Sequence, residues 1–74
     1  MQLPSAESVG LEIRAAMARG RKTQTDVALA LGISQAAVSR RLKGDVAFDV
    51  VQLYQLADYL EVDVADLLPA AAVA

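Results

Sequence analysis

Seventy-four residues make one domain at most, and a chain of that size hides only about 60% of its extended surface on folding, so its elements must pack closely. With no cysteine and no histidine, a disulfide framework, a thiolate or imidazole zinc site and the commonest general base are all excluded. The formal net charge of -2 weighs against a polyanionic partner until its distribution is read: all seven bases lie between Glu12 and Lys43, opposed there only by Glu12 and Asp26, and from Gly44 onward six acids meet no base.

A chain sorted in this way can present a positive face to phosphate while its far side repels it, although such segregation also arises by chance on small helical domains. More than half of the residues are apolar and only three are aromatic, so the core is expected to consist of many small Ala, Val and Leu contacts. No apolar run approaches the roughly 20 residues that span a bilayer, and Met1 is not followed by a basic and then apolar export signal. A cytoplasmic setting is expected, with no metal, no cofactor, no membrane and no small-molecule substrate.

Residues 1–4 read as a frayed lead-in, 5–69 as one domain and 70–74 as a tail of small apolar residues. Pro4 and Ser5 announce helix 1, which should run to about Arg19 with Val9, Ile13, Ala16 and Met17 facing inward. Gly10 weakens that helix, and a close helix crossing is the plain explanation for it. The bend Arg19–Lys22 carries the densest charge of the chain; it reads either as a solvated loop or as a phosphate contact beside the next helix N-terminus.

Thr23 can cap helix 2, with Asp26 three residues on completing a reciprocal cap, and Val27, Ala28 and Leu31 form its apolar stripe. Gly32 should end it in the left-handed conformation, Ile33 fills the corner, and Ser34 is a ready cap for helix 3. On that helix, to Lys43, a step of about 100° per residue buries Val38 and Leu42 and turns Ala36, Ser39, Arg40 and Lys43 outward. The outward face is short, polar and basic. Gly44 ends the helix. Asp49 and Gln52 then box the start of helix 4, Phe48 staples onto Leu53, and Leu53, Leu56, Ala57 and Leu60 make its stripe. Tyr54 and Tyr59 lie off the stripe, as candidates for a dimer or partner surface or as covers for the core edge. Val62 and an Asp63 cap open a short fifth helix to Leu68, stopped by Pro69.

Gln24, Ala28, Gly32, Val38 and the run from Ser39 to Gly44 resemble the helix-turn-helix of phage repressor and Cro-type regulators, with Ser34-Gln35 and Ser39-Arg40 strengthening the match. A helical hairpin with an ordinary glycine stop is the alternative. The resemblance reaches about Leu68 and implies an all-α, compact five-helix domain whose helices 2 and 3 form the helix-turn-helix. It also implies a sequence-specific regulator of double-stranded DNA, a repressor more often than not, from a phage or a bacterium, acting as a homodimer at least on DNA over a palindromic operator.

Helix 3 would enter the major groove, where Gln35, Ala36, Ser39 and Arg40 are the base-reading candidates: Gln suits adenine, an alanine methyl meets thymine, and Arg suits guanine. Arg21, Lys22, Thr23, Gln24, Ser34, Arg41 and Lys43 would hold phosphate, Gln24 by carry-over from the family and Arg41 as one of two readings, the other being a side chain laid over the core edge. The chain departs from the family pattern at Lys22 and Arg41, where apolar residues are usual, at Asp45 in a loop that runs near phosphate, and at Glu61, where a helix-ending Gly is common. A protein-interaction module of the same fold, antitoxin-like or binding another regulator, is the alternative function. An enzyme is the remote third, since no glycine-rich phosphate loop or enclosed carboxylate pair is present.

Overall fold

The structure, a computed structural model, describes residues 4–69; all but Pro4 of the expected lead-in at 1–4, and the whole of the tail at 70–74, lie outside the described residues. Four α-helices follow in order: α1 Ala6–Arg19, α2 Gln24–Leu31, α3 Gln35–Lys43 and α4 Val50–Leu60, with a 3-10 turn at Val64–Leu67. The expected fifth helix is therefore corrected to one tight turn. Asp66 N–H bonds the Asp63 carbonyl at 2.9 Å and Leu68 N–H the Ala65 carbonyl at 3.2 Å, so the segment closes i to i+3 bonds. With Val62 and Pro69 only seven positions apart, too few residues remain to offset the cost of starting an α-helix.

Each helix start is set by local side-chain chemistry. Thr23 Oγ1 accepts the Asp26 N–H at 3.1 Å while the Asp26 carboxylate accepts the Thr23 N–H at 2.8 Å. Asp49 and Gln52 repeat the exchange at α4, at 2.7 and 3.0 Å, and Ser34 Oγ accepts the Ala37 N–H at 3.0 Å. At α1 the partner of Ser5 is Ser8, which the sequence reading had not paired with it. These bonds satisfy N–H groups that a helix leaves without partners in its first turn.

The helix ends share one device. Lys22, Ile33, Asp45 and Val62 each donate their N–H to the carbonyl five residues back, on Met17, Ala28, Arg40 and Ala57, at 2.9 to 3.1 Å. In each case the preceding residue is left-handed: Arg21 (φ 56), Gly32 (φ 69), Gly44 (φ 86) and Glu61 (φ 58). Glycine accepts that conformation freely; Arg21 and Glu61 adopt it against the crowding of their Cβ atoms. Gly20, the glycine of the first bend, is right-handed at φ -85.

Ile13, Leu56, Leu67, Val27 and Val38 are the largest fully buried side chains, joined by Ala16, Met17, Ala28, Leu42, Phe48, Ala57 and Leu60. All are apolar, so the core holds together by burial and close contact among the helices. α3 packs on α1 and α2, while α4 packs on α2 and on the 3-10 turn, which also meets α1. Two glycines let α3 approach α1. A Cβ on Gly10 would collide with the Leu42 carbonyl oxygen and stand 2.9 Å from its carbon, and a Cβ on Gly44 would lie 2.6 Å from Glu7 Cα.

Candidate nucleic-acid interface

α3 begins at the Ser34 cap and ends at Gly44, and with Val38 and Leu42 anchored in the core its opposite side is fixed toward solvent. Gln35, Ala36, Arg40 and Lys43 are exposed there, and Ser39 is half-buried at the margin. That side therefore offers an amide, a methyl group, a guanidinium and an ammonium along one short helix. The buried part of the corner explains the small residues: Ala28 is 7% exposed beneath α3, where a longer side chain would lever the second helix away.

At the start of α2, Thr23 is exposed and Gln24 half-buried. The Asp26 carboxyl is held below its ordinary value, first by the Thr23 backbone N–H, then by the Thr23 hydroxyl, with the Lys22 charge adding to the effect. The Lys22 ammonium stands 4.9 Å from the centre of the Tyr59 ring, a cation over an aromatic face, and the rest of that side chain is partly covered. Arg21 is exposed at its left-handed position. Ser34 uses its hydroxyl oxygen as a cap acceptor, which leaves its hydroxyl hydrogen free to donate outward, whereas the Thr23 hydroxyl is engaged with Asp26.

Arg41 is placed differently from Arg40. It is half-buried, its Nη1 donates to the Ala37 carbonyl at 3.1 Å, and its Nε donates to Gln52 Oε1 at 3.4 Å. Its guanidinium thus lies back along α3 toward the start of α4. Of the tyrosines, Tyr54 is 61% exposed, whereas Tyr59 packs partly against the core under Lys22. Sequence reasoning did not single out Val50 and Val51, which are 66% and 61% exposed on the Tyr54 side of α4, nor Gln52 as a partner of Arg41. Val51 could have been found from the α4 wheel, since it falls opposite Leu60, whereas Val50 falls near Ala57 and is exposed at the first turn; the Arg41 to Gln52 contact is eleven residues apart and no periodicity encodes it.

A helix-turn-helix family model matches residues 13–67. The chain belongs to the helix-turn-helix family. Among curated proteins, no sequence matches it. Solved structures of the same fold include the restriction-modification controller protein C.AhdI from Aeromonas hydrophila, at 19% identity and TM-score 0.76 over 84% of this chain and 94% of that one. The clp gene regulator ClgR from C. glutamicum is similar at 24% identity and TM-score 0.78, over 84% of this chain and 80% of its own. These two likenesses carry the fold. The S. venezulae BldD DNA-binding domain is similar at 29% identity and TM-score 0.73, over 86% of this chain and 96% of that one. The matched residues contain α2 and α3 whole, with the Gly32 corner between them.

Proposed function

We propose that this chain is a transcription regulator that binds double-stranded DNA sequence-specifically, reading the major groove with α3. The observation that carries the reading is the two-sidedness of that helix: Val38 and Leu42 lie in the core while Gln35, Ala36, Arg40 and Lys43 stand free on the other side. Family membership and the likeness to the BldD DNA-binding domain support it.

In this mechanism α2 crosses the phosphate backbone above α3. Gln35, Ala36, Ser39 and Arg40 meet base edges, where a good bidentate pair discriminates by about 1–3 kcal/mol. Arg21, Lys22, Thr23, Gln24, Ser34 and Lys43 hold phosphates and set the register, displacing counterions as they do so. The acids that follow Gly44 turn the opposite half of the molecule away from the duplex. Two copies on a palindrome would place half-site centres about 10–10.5 base pairs apart or a multiple of that, and the exposed Val50, Val51 and Tyr54 side of α4 is the candidate pairing surface. Exclusion of polymerase, and so repression, is the simplest outcome of such occupancy.

Selection of bound duplexes from a random pool tests the reading. The expected result is an enriched, two-fold symmetric sequence that survives competition by non-specific DNA; a pool that shows no enrichment removes the proposal. The same α4 side favours a second reading, a protein-interaction module, because three large apolar side chains are exposed together beside acids. A chain that pairs with another protein through Tyr54 and shows no duplex preference would establish that reading.

A further inference from the structure

α3 and α4 share no broad packing surface among the described residues: α3 rests on α1 and α2, and α4 rests on α2 and the 3-10 turn. Their relative angle is therefore carried by α2, by the short segment between Gly44 and Asp49, and by whatever side chains reach across. Arg41 and Gln52 do so. Gln52 Oε1 accepts the Asp49 N–H at 3.0 Å, closing the cap of α4, and also accepts Arg41 Nε at 3.4 Å. The second bond is long because the oxygen already serves a nearer donor, yet the guanidinium is not free to drift, since Nη1 is fixed on the Ala37 carbonyl at 3.1 Å.

The backbone behind Arg41 is held from the other side as well. Gly10 of α1 lies against the carbonyls of Arg41 and Leu42, close enough that a Cβ there would stand 3.2 Å from the Arg41 oxygen. The last turn of α3 is thus gripped by α1 through backbone contact and by the start of α4 through one side chain. A charged fork with two of its donors committed to protein acceptors and its stem half-covered is suited to fixing an angle.

We infer that Arg41 is a positioning residue: acting through Gln52, it sets the angle of α3 against α4 and so the alignment of Arg40 with its base pair. The inference rests on the DNA-reading function proposed above. It separates Arg41 from Lys43, which has no such tether and touches only phosphate in that mechanism. Arg41 influences which sequence is bound more than how strongly any duplex is bound.

The test uses the full chain, a duplex enriched from the random pool and a scrambled duplex, titrated over a range of salt with Arg41→Met, Gln52→Met, the double variant and Gln52→Glu. Arg41→Met and Gln52→Met are each expected to lower the ratio of enriched to scrambled affinity about fivefold, with the double variant no worse than the weaker single one and the salt slope unchanged. Gln52→Glu, which keeps the cap and offers Arg41 a carboxylate, should retain the full ratio. If Arg41→Met weakens both duplexes alike and lowers the salt slope by about one unit while Gln52→Met changes neither, Arg41 is a phosphate contact and the inference is overturned. Thermal melts in the same buffer establish that each variant is folded at the assay temperature, and Arg41→Lys replaces Arg41→Met if the latter is not. A wild-type chain with no preferred duplex would end the DNA reading itself; the Arg41 to Gln52 tie is then judged by the melting temperatures of the same four variants, where strictly additive losses overturn it.

Discussion

Gly10 and Leu42 are in contact through backbone alone: the α-carbon of one faces the carbonyl of the other so closely that even a methyl group between them would have to displace a helix. α1 thereby fixes the depth at which α3 sits.

Gly10→Ala is accordingly expected to destabilise, although alanine is the better helix former by up to about 1 kcal/mol. The overpacking cost, roughly 1–3 kcal/mol, should win, because the obstacle is backbone and cannot rotate aside. Thermal melting checks it, with a fall of about 4–8 °C for each kcal/mol lost. An unchanged or higher melting temperature would mean that α1 and α3 separate more easily than the contact suggests.

Glu61→Gly should do the opposite. Glu61 is left-handed at φ 58 and exposed, so glycine removes crowding at a helix end without giving up a buried contact. A gain of about 1 kcal/mol is expected. Arg21→Gly should melt higher for the same reason while lowering the salt slope of DNA binding by about one unit, since it also removes a charge proposed to hold phosphate. Stability and affinity moving in opposite directions in one variant would distinguish backbone relief from a general improvement.

Arg40→Ala is expected to cost about 1–3 kcal/mol on the enriched duplex and to relax preference at one base pair. Lys43→Ala should weaken all sequences alike and lower the salt slope by about one unit. Parallel titrations on enriched and scrambled duplexes decide the matter; identical behaviour of the two variants would show that the outward face of α3 is not divided between bases and phosphate.

Asp26 gives the fold a dependence on acid. Because its carboxyl is held below the ordinary value of 3.8 in the folded chain, it stabilises above that value and the contribution is lost as pH falls through its folded value. Asp26→Asn should therefore melt below the wild type at neutral pH, with the gap closing under strongly acidic conditions. A gap that stayed constant across the titration would assign the loss to geometry instead of charge.

The parts of this fold that the sequence made legible are those written in short-range chemistry. Thr23 with Asp26, Ser34, and Asp49 with Gln52 mark helix starts because donor and acceptor lie three residues apart, and Gly32 and Gly44 mark ends because their conformation is their own. Periodicity also assigned Val38 and Leu42 to the core and Ala36, Ser39, Arg40 and Lys43 to the exterior, where Ser39 is more covered than the wheel alone implies. The fifth element was placed correctly between Asp63 and Leu68 but read as a helix where it is a 3-10 turn, because a cap signal says where a turn begins and nothing about which bonds follow it. At the first bend the place of the last bond, Lys22 to Met17, decides which residue must be left-handed, and that residue is Arg21 and not the neighbouring Gly20. The Arg41 to Gln52 contact was illegible for a further reason, since it exists only once two helices have been placed.

Gly44 against Glu7 has a practical bearing on where this domain may be cut. The stretch shared with the family opens at Ile13, yet both seats on which the reading helix rests, Glu7 and Gly10, precede it. A fragment trimmed to the shared stretch would keep every residue proposed to face a duplex and lose the floor that holds them level, and a bulky fusion joined close before Ser5 would press on that floor from below.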